Sequence, residues 1–167
     1  LSKTYTVSIL TPTSKRREKC MTVLSNCINQ QTFLSKIKQW VIVSGDKDWN
    51  KEDFENMIDS LQHLIPSHIH ITAHYLTHDA AQTMGDDYLT TDYEAIGYLR
   101  NVTNLVSTGD YLVCMDDDDY YPPSRVEHAV SSLAKSHKLV AGCSNHIMYD
   151  VDTEGVYQFK RFGLNHS

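Results

Sequence analysis

The feature that most constrains this chain is a continuous apolar run, Tyr111–Met115, that stops at four consecutive aspartates, Asp116–Asp119. An uninterrupted apolar run of this length reads as a central strand buried on both faces, the kind found in parallel sheets covered by helices. Four adjacent carboxylates raise one another's pKa unless a cation neutralises them. A hard divalent ion with oxygen ligands, Mg²⁺ or Mn²⁺, does so and bridges to substrate phosphates. In an extended segment alternate residues point the same way, so Asp116 and Asp118 can reach one metal ion together. A solvated acidic turn is the plainer reading of any charge run. The buried strand before it, and Pro122-Pro123 and a helix after it, favour the metal. A calcium loop fits worse, because its sixth position would be Tyr121 where the sharp turn needs glycine.

The rest of the chain alternates strand-like and helix-like segments. Val7–Leu10 is a short β-rich run ending at the turn signal Thr11-Pro12-Thr13, and Trp40–Val43 is a second buried-type strand ending at Ser44-Gly45-Asp46. Between them, Cys20, Leu24, Cys27 and Ile28 predict a helix over 15–31, and Phe54, Met57, Ile58 and Leu61 predict another that Pro66 closes. The alternation over His68–Leu76 predicts a third strand nearer an edge. Residues 77–91 read as a mobile loop. Thr91 with Glu94 forms a capping box for a helix over 92–107, and Ser124 with Glu127 another for a helix through about Ser136. Leu139–Cys143 reads as a strand, and Asp152-Thr153-Glu154-Gly155 joins Ile147–Val151 to Val156–Phe159 as a hairpin.

The prediction is an α/β fold with a mainly parallel sheet flanked by helices and a C-terminal hairpin. In such sheets ligands bind at the carboxyl ends of the strands. Thr11–Thr13, Ser44–Asp46 and Asp116–Asp119 all fall at such ends, and that convergence organises the functional reading.

Composition narrows the partners. The 167 residues carry a net charge of −6, so a nucleic-acid partner, held chiefly by cations on phosphates, is not expected. No apolar stretch approaches the ~20 residues of a membrane span, and Leu1–Thr4 lack a signal-peptide pattern. A start at Leu1 suggests a processed or trimmed chain, which leaves open a fragment of a longer protein. A cytoplasmic location, the host's were the chain viral, is compatible with these signals. Cys20, Cys27, Cys114 and Cys143 form no CxxC pair and read as buried apolar residues of a reducing compartment. His68, His70 and His74 could suggest zinc, but an exposed strand face explains them with fewer assumptions.

The residues now support a resemblance. Gly97-Tyr98-Leu99-Arg100-Asn101, the run Gly109–Asp119 and Pro122 resemble family 2 glycosyltransferases of the GT-A fold, with their Arg-Asn pair, Gly-acidic-Tyr strand opening and Asp-x-Asp-Asp (DXD) block followed by proline. Ser8–Thr13 resembles their first strand, and Gln30–Phe33 and Trp40–Asp46 their helix exit and second strand. The likeness covers residues 7 to about 135. It implies one GT-A (Rossmann-like) nucleotide-sugar-binding and catalytic domain over 1–167. It implies Mn²⁺ or Mg²⁺ as cofactor, a nucleoside-diphosphate sugar (a UDP-sugar) as donor, a glycan or glycoprotein hydroxyl as acceptor, and inversion at the anomeric carbon. Thr11 and Thr13 would line the nucleotide pocket, Asp46 would contact the base, and Arg100 would lie near the diphosphate. Asp116, with Asp117 beside it, would approach the ribose or metal, and Asp118 would be the principal metal ligand. Ser44-Gly45-Asp46 departs from the family, where two acidic residues and a glycine are more usual, and this puts uracil itself in doubt.

The chemistry follows from charge. Breaking the sugar–phosphate bond leaves negative charge on the nucleoside diphosphate, which a metal and nearby cations stabilise. Arg100 is one such cation, with Arg16 or Arg17 as further candidates. A general base must also take the acceptor's proton. Asp150, Asp152 and Glu154 are the downstream carboxylates, unless the base lies in a segment outside this chain. Tyr120 and Tyr121 flank the block as packing or sugar-contact residues. Two alternatives remain. Nucleotidyl transfer usually needs a glycine-rich loop after the first strand, and Thr11–Lys19 holds no glycine. A non-catalytic nucleotide-sugar-binding module would keep the donor site without the base.

Overall fold

A computed structural model describes residues 4–77, 95–136, 138–143, 147–150 and 152–158. The chain divides into two compact units, Leu1–His128 and Ala129–Ser167.

The first unit is built on a parallel sheet of four strands: β1 (Val7–Pro12), β2 (Ile37–Ser44), β3 (His70–Tyr75) and β4 (Tyr111–Cys114), in the order β3-β2-β1-β4. Every residue of β1 is buried, as is all of β2 except Lys38. Burial of consecutive residues requires cover on both faces of the sheet. On one face α3 (Ile96–Leu105) lays Tyr98, Leu99 and Val102 against Leu10, Val41 and Val43. The opposite face presents Ile9, Trp40 and Ile42, all fully buried. There α1 (Glu18–Asn29), entered through a 3-10 turn at Lys15–Arg17, packs on α2 (Lys51–Leu64), which reaches β3. Asn50 caps α2 reciprocally with Asp53: its Oδ1 accepts the Asp53 N–H at 2.7 Å and its Nδ2 donates to the Asp53 carboxylate at 3.0 Å. Such a cap contributes about 1 kcal/mol.

Buried polar groups lock the strand ends. At the amino ends, the Gln39 carbonyl oxygen accepts from the Ser8 hydroxyl at 2.6 Å and the Thr108 N–H at 2.9 Å, while its amide donates to Thr72. Gly109 closes this corner because a Cβ there would meet Ser8 N at 2.5 Å. At the carboxyl ends, the Thr11 hydroxyl donates to the Met115 carbonyl at 2.8 Å and accepts from the Trp40 indole at 3.0 Å, tying all three strands where the acidic block begins.

In the second unit, β5 (Ile147–Asp150) pairs antiparallel with β6 (Gly155–Gln158). The expected hairpin therefore forms, although Val151 and Phe159 lie outside the described residues. Helix α4 (Arg125–Ser136) runs from the first unit into the second.

Several expectations need correction. β4 is not central: among the described residues it stands at the sheet edge, with Leu112 and Cys114 exposed. Leu139–Cys143 forms no strand, and Leu139 and Val140 are 98% and 85% exposed, so their apolar character reflects no pairing. Cys114 and Cys143 are exposed rather than buried, whereas Cys27 is buried as expected. Glu127 accepts the Thr32 hydroxyl at 2.7 Å instead of turning back on Ser124. The third strand does lie at an edge among the described residues. Most of the expected loop over 77–91, and the capping box of Thr91 and Glu94, lie outside the described residues; α3 is described from Ile96, with Ala95 as an N-cap that makes no side-chain bond.

Candidate functional site

The carboxyl ends of β1, β2 and β4 open on a cleft of about 660 Å³, a size ordinary for a small-molecule site. Pro12, Thr13 and Ser14 line it from the exit of β1, Asp46 from the exit of β2, and Ile96, Leu99 and Arg100 from α3. Asp116–Asp119 form its acidic side, with Arg16 and Arg17 across from the 3-10 turn.

The four aspartates are not equivalent. Asp117 points inward: it is 2% exposed, accepts the Thr13 hydroxyl at 2.7 Å and pairs with Arg17 Nη1 at 3.1 Å. Burial pushes its carboxyl above the usual carboxylate range, against the downward pull of Thr13 and Arg17. The second nitrogen of the same guanidinium, Nη2, lies 3.0 Å from Asp118. Asp116 Oδ2 pairs with Arg100 Nη2 at 2.8 Å. Its other oxygen, Oδ1, is buried and has no hydrogen-bond partner among the described residues. The Asp116 N–H donates to the Tyr121 hydroxyl at 2.6 Å, and that hydroxyl donates to Asp119 at 3.4 Å. Burial, together with the two carboxylates, raises the Tyr121 pKa, so the phenol stays neutral and holds the turn. Tyr120 is exposed beside it.

Asp46 sits at the mouth with both oxygens engaged by backbone, Oδ2 accepting the Lys15 N–H at 2.8 Å and Oδ1 the Asp48 N–H at 2.9 Å. Each oxygen keeps a second lone pair, so the carboxylate is oriented rather than exhausted. Thr11 does not line the cleft. Its hydroxyl is fully buried beneath it in the bonds to Met115 and Trp40.

Gln31, noted in the sequence only as part of the helix exit, has a structural role there that the sequence did not show. Its side-chain amide donates to the Cys27 and Pro122 carbonyls, and its carbonyl oxygen accepts the Val126 N–H at 2.9 Å. It thereby pins the segment that follows the aspartates against the end of α1. A buried glutamine just past a helix carries no periodic signal. Naming Arg17 only as a further candidate cation likewise missed that its partner is a buried aspartate far along the chain.

The carboxylates expected to supply a base lie in the second unit. Asp150 Oδ1 accepts the Asp152 N–H at 3.0 Å and the Thr153 N–H at 3.5 Å, and the Thr153 side chain first, then these backbone bonds, hold its pKa below the ordinary value. Glu154 follows at φ 51°, the left-handed turn conformation. These groups shape the hairpin turn.

Among the described residues no three His, Cys, Asp or Glu side chains converge on one point, so neither the His68–His74 region nor the acidic block is an all-protein metal cage. A divalent ion held by one or two carboxylates plus phosphate oxygens needs no third protein ligand. The orphaned Asp116 Oδ1 and the cleft-facing Asp118 fit that donor set.

The family model described as Glycosyl transferase family 2 matches residues 95–164. No curated protein matches the chain. Among solved structures, the crystal structure of S. aureus TarS, residues 1–349, superposes with a TM-score of 0.53 at 20% identity. That match covers 79% of this chain and 33% of TarS, so the chain spans about a third of the length of the solved relative it matches. No helix among the described residues is long and apolar enough to cross a membrane. With its parallel sheet, strand-end cleft and C-terminal hairpin, the chain shares the GT-A type of fold with the TarS structure, and its residues 95–164 are similar to family 2 glycosyltransferases.

Proposed function

We propose that the chain moves a sugar from a nucleoside-diphosphate donor, a UDP-sugar, to a hydroxyl of a glycan or glycoprotein acceptor, using Mn²⁺ or Mg²⁺, with inversion at the anomeric carbon. The reading takes 1–167 as one catalytic domain with a cytoplasmic address. The observation that carries it is the unpartnered, buried Asp116 Oδ1 in a cleft where Asp118, Arg16, Arg17 and Arg100 also converge. A desolvated acceptor without a donor suits a cation, and cations around it suit a diphosphate.

In this reading Asp116 and Asp118 hold the metal, which when bound neutralises charge on the departing nucleoside diphosphate. Arg100, on the first turns of α3, orients Asp116 and faces the donor phosphates. Asp46, fixed by two backbone N–H groups, reads the base, and Ile96 and Leu99 give the nucleoside an apolar wall. Thr13 lines the cleft and holds Asp117, which takes no direct part in donor binding.

The test is calorimetry of UDP with and without Mn²⁺ on the wild type and Asp118→Ala. Metal-dependent binding that the substitution abolishes is expected. Absence of binding with every metal would remove the UDP assignment. A donor-binding module without turnover is the second reading, and the engagement of Asp150 in its own turn favours it. It predicts UDP-sugar binding with no metal-dependent donor hydrolysis, whereas the enzyme hydrolyses its donor slowly even without acceptor.

A further inference from the structure

Arg17 spans two neighbouring aspartates with different surroundings. Nη1 holds Asp117, whose side chain is 1% exposed and also bound by Thr13. Nη2 holds Asp118, whose side chain is 45% exposed and lines the cleft. A buried carboxylate keeps its counter-ion because separation leaves an uncompensated charge in a poorly solvated site. An exposed carboxylate gives one up readily, since water and other ions replace it.

We propose that Arg17 is a built-in counter-ion of the acidic block, anchored by Asp117, which yields Asp118 to the incoming divalent cation. The inference rests on the metal reading above and deepens it. It assigns Asp117, at the unspecified position of the Asp-x-Asp-Asp pattern, to holding Arg17 rather than to donor binding. It makes Arg17 a positioning residue that sets metal affinity. Without the metal, Arg17 and Arg100 each cover a carboxylate and limit repulsion within the block. On metal entry the Nη2–Asp118 contact is exchanged while the Nη1–Asp117 contact stays. Arg100 need not leave Asp116, because Asp116 still offers Oδ1.

The test measures Mn²⁺ affinity directly, following free Mn²⁺ by electron paramagnetic resonance with the wild-type chain and Arg17→Met. Removing one unit charge beside the ligand is expected to tighten Mn²⁺ by roughly 10-fold, the Coulomb effect of a unit charge on a divalent ion about 6 Å away in a water-like dielectric. A residue of merely structural importance would loosen the metal or leave it unchanged, and either result in a folded Arg17→Met overturns the proposal. Should Arg17→Met not fold, Arg17→Lys carries the same test, because one ammonium keeps Asp117 compensated without spanning both carboxylates in the same fork. Tighter Mn²⁺ there supports the exchange, and unchanged or weaker Mn²⁺ refutes it. If the wild type itself binds no Mn²⁺, with or without UDP, the metal reading fails and takes the exchange with it. If the wild type binds and the variants bind no tighter, only the exchange fails.

Discussion

Gly109→Ala tests the corner that registers β4 against β1. A Cβ at residue 109 would stand 2.5 Å from Ser8 N, 2.8 Å from Ser8 Oγ and 2.9 Å from the Val7 carbonyl carbon. Two of these three atoms are backbone of a fully buried strand, so no rotamer change relieves the contact. The strand or the 107–110 turn must shift by about an ångström, and overpacking of this kind costs about 1–3 kcal/mol. The shift also weakens the hydrogen bond from the Gly109 N–H to Ser8 Oγ, 2.9 Å long, and with it the Ser8–Gln39 bond, adding about 1 kcal/mol. The expected total is about 2–4 kcal/mol, a large share of the stability of a small domain. Urea unfolding followed by tryptophan fluorescence reads it, because Trp40 and Trp49, the two tryptophans of the chain, both lie buried in the first unit. Gly97→Ala is the internal control. Nothing lies within 4 Å of its added Cβ and it sits in α3, so it should gain a few tenths of a kcal/mol from helix propensity. A loss below about 0.5 kcal/mol at Gly109, or equal losses at both glycines, would refute the steric reasoning.

Other outcomes follow from the same geometry. Arg100→Ala should leave urea stability within about 0.5 kcal/mol, since its pair with Asp116 is half exposed, yet weaken Mn²⁺-dependent UDP binding by calorimetry; unchanged binding would remove Arg100 from the site. Arg17→Met should cost about 1–2 kcal/mol at neutral pH, the value of a charged hydrogen bond discounted for a partly exposed guanidinium. Burial raises the folded-state pKa of Asp117, so its ionisation opposes folding, and its contribution to stability falls as pH climbs from the ordinary carboxylate value, roughly 4, through the raised one. The Arg17→Met deficit should therefore shrink on acidification through that window, and a pH-independent deficit in tryptophan-detected unfolding would contradict the assignment. For Asp150 the sign reverses: its depressed pKa means the turn gains support above the unfolded value and loses it as pH falls through the folded one. The Asp152 and Thr153 amide shifts should titrate together with a midpoint below the ordinary aspartate value.

How much was legible depended on how many neighbours each element needed. β1 and β2 announced themselves because they are buried on both faces, so nearly every residue had to be apolar or small. α2 was legible from its 3.6-residue stripe and ends cleanly before Pro66. β4 was misplaced for an instructive reason. Tyr111–Met115 is as apolar as a central strand, yet among the described residues it pairs on one side alone, and apolar content does not count partners. The Leu139–Cys143 reading failed similarly, since short apolar runs carry no information about whether a pairing edge is within reach. Capping signals misled where a tertiary bond won, as when Glu127 turned to Thr32.

The acidic block shows where local pattern stops and folding takes over. Alternation along an extended segment put Asp116 and Asp118 on one side, and in the structure the residue between them, Asp117, is the one that is buried. What alternation could not supply was the environment on the other side. Thr13 and Arg17 meet Asp117 from more than 99 residues away because β1 and β4 are adjacent and parallel, so their carboxyl ends arrive together. The same adjacency places Thr11 beneath Met115, where it holds the start of the block instead of facing a ligand. A threonine at a strand end and one two residues later look alike in sequence. Their fates differ because one side chain points into the sheet junction and the other into the cleft. The division of labour among Asp116, Asp117 and Asp118 therefore follows from strand order. A residue without a cation at position 17 would leave Asp117 buried with the Thr13 hydroxyl but without its counter-ion, whatever the composition of the block.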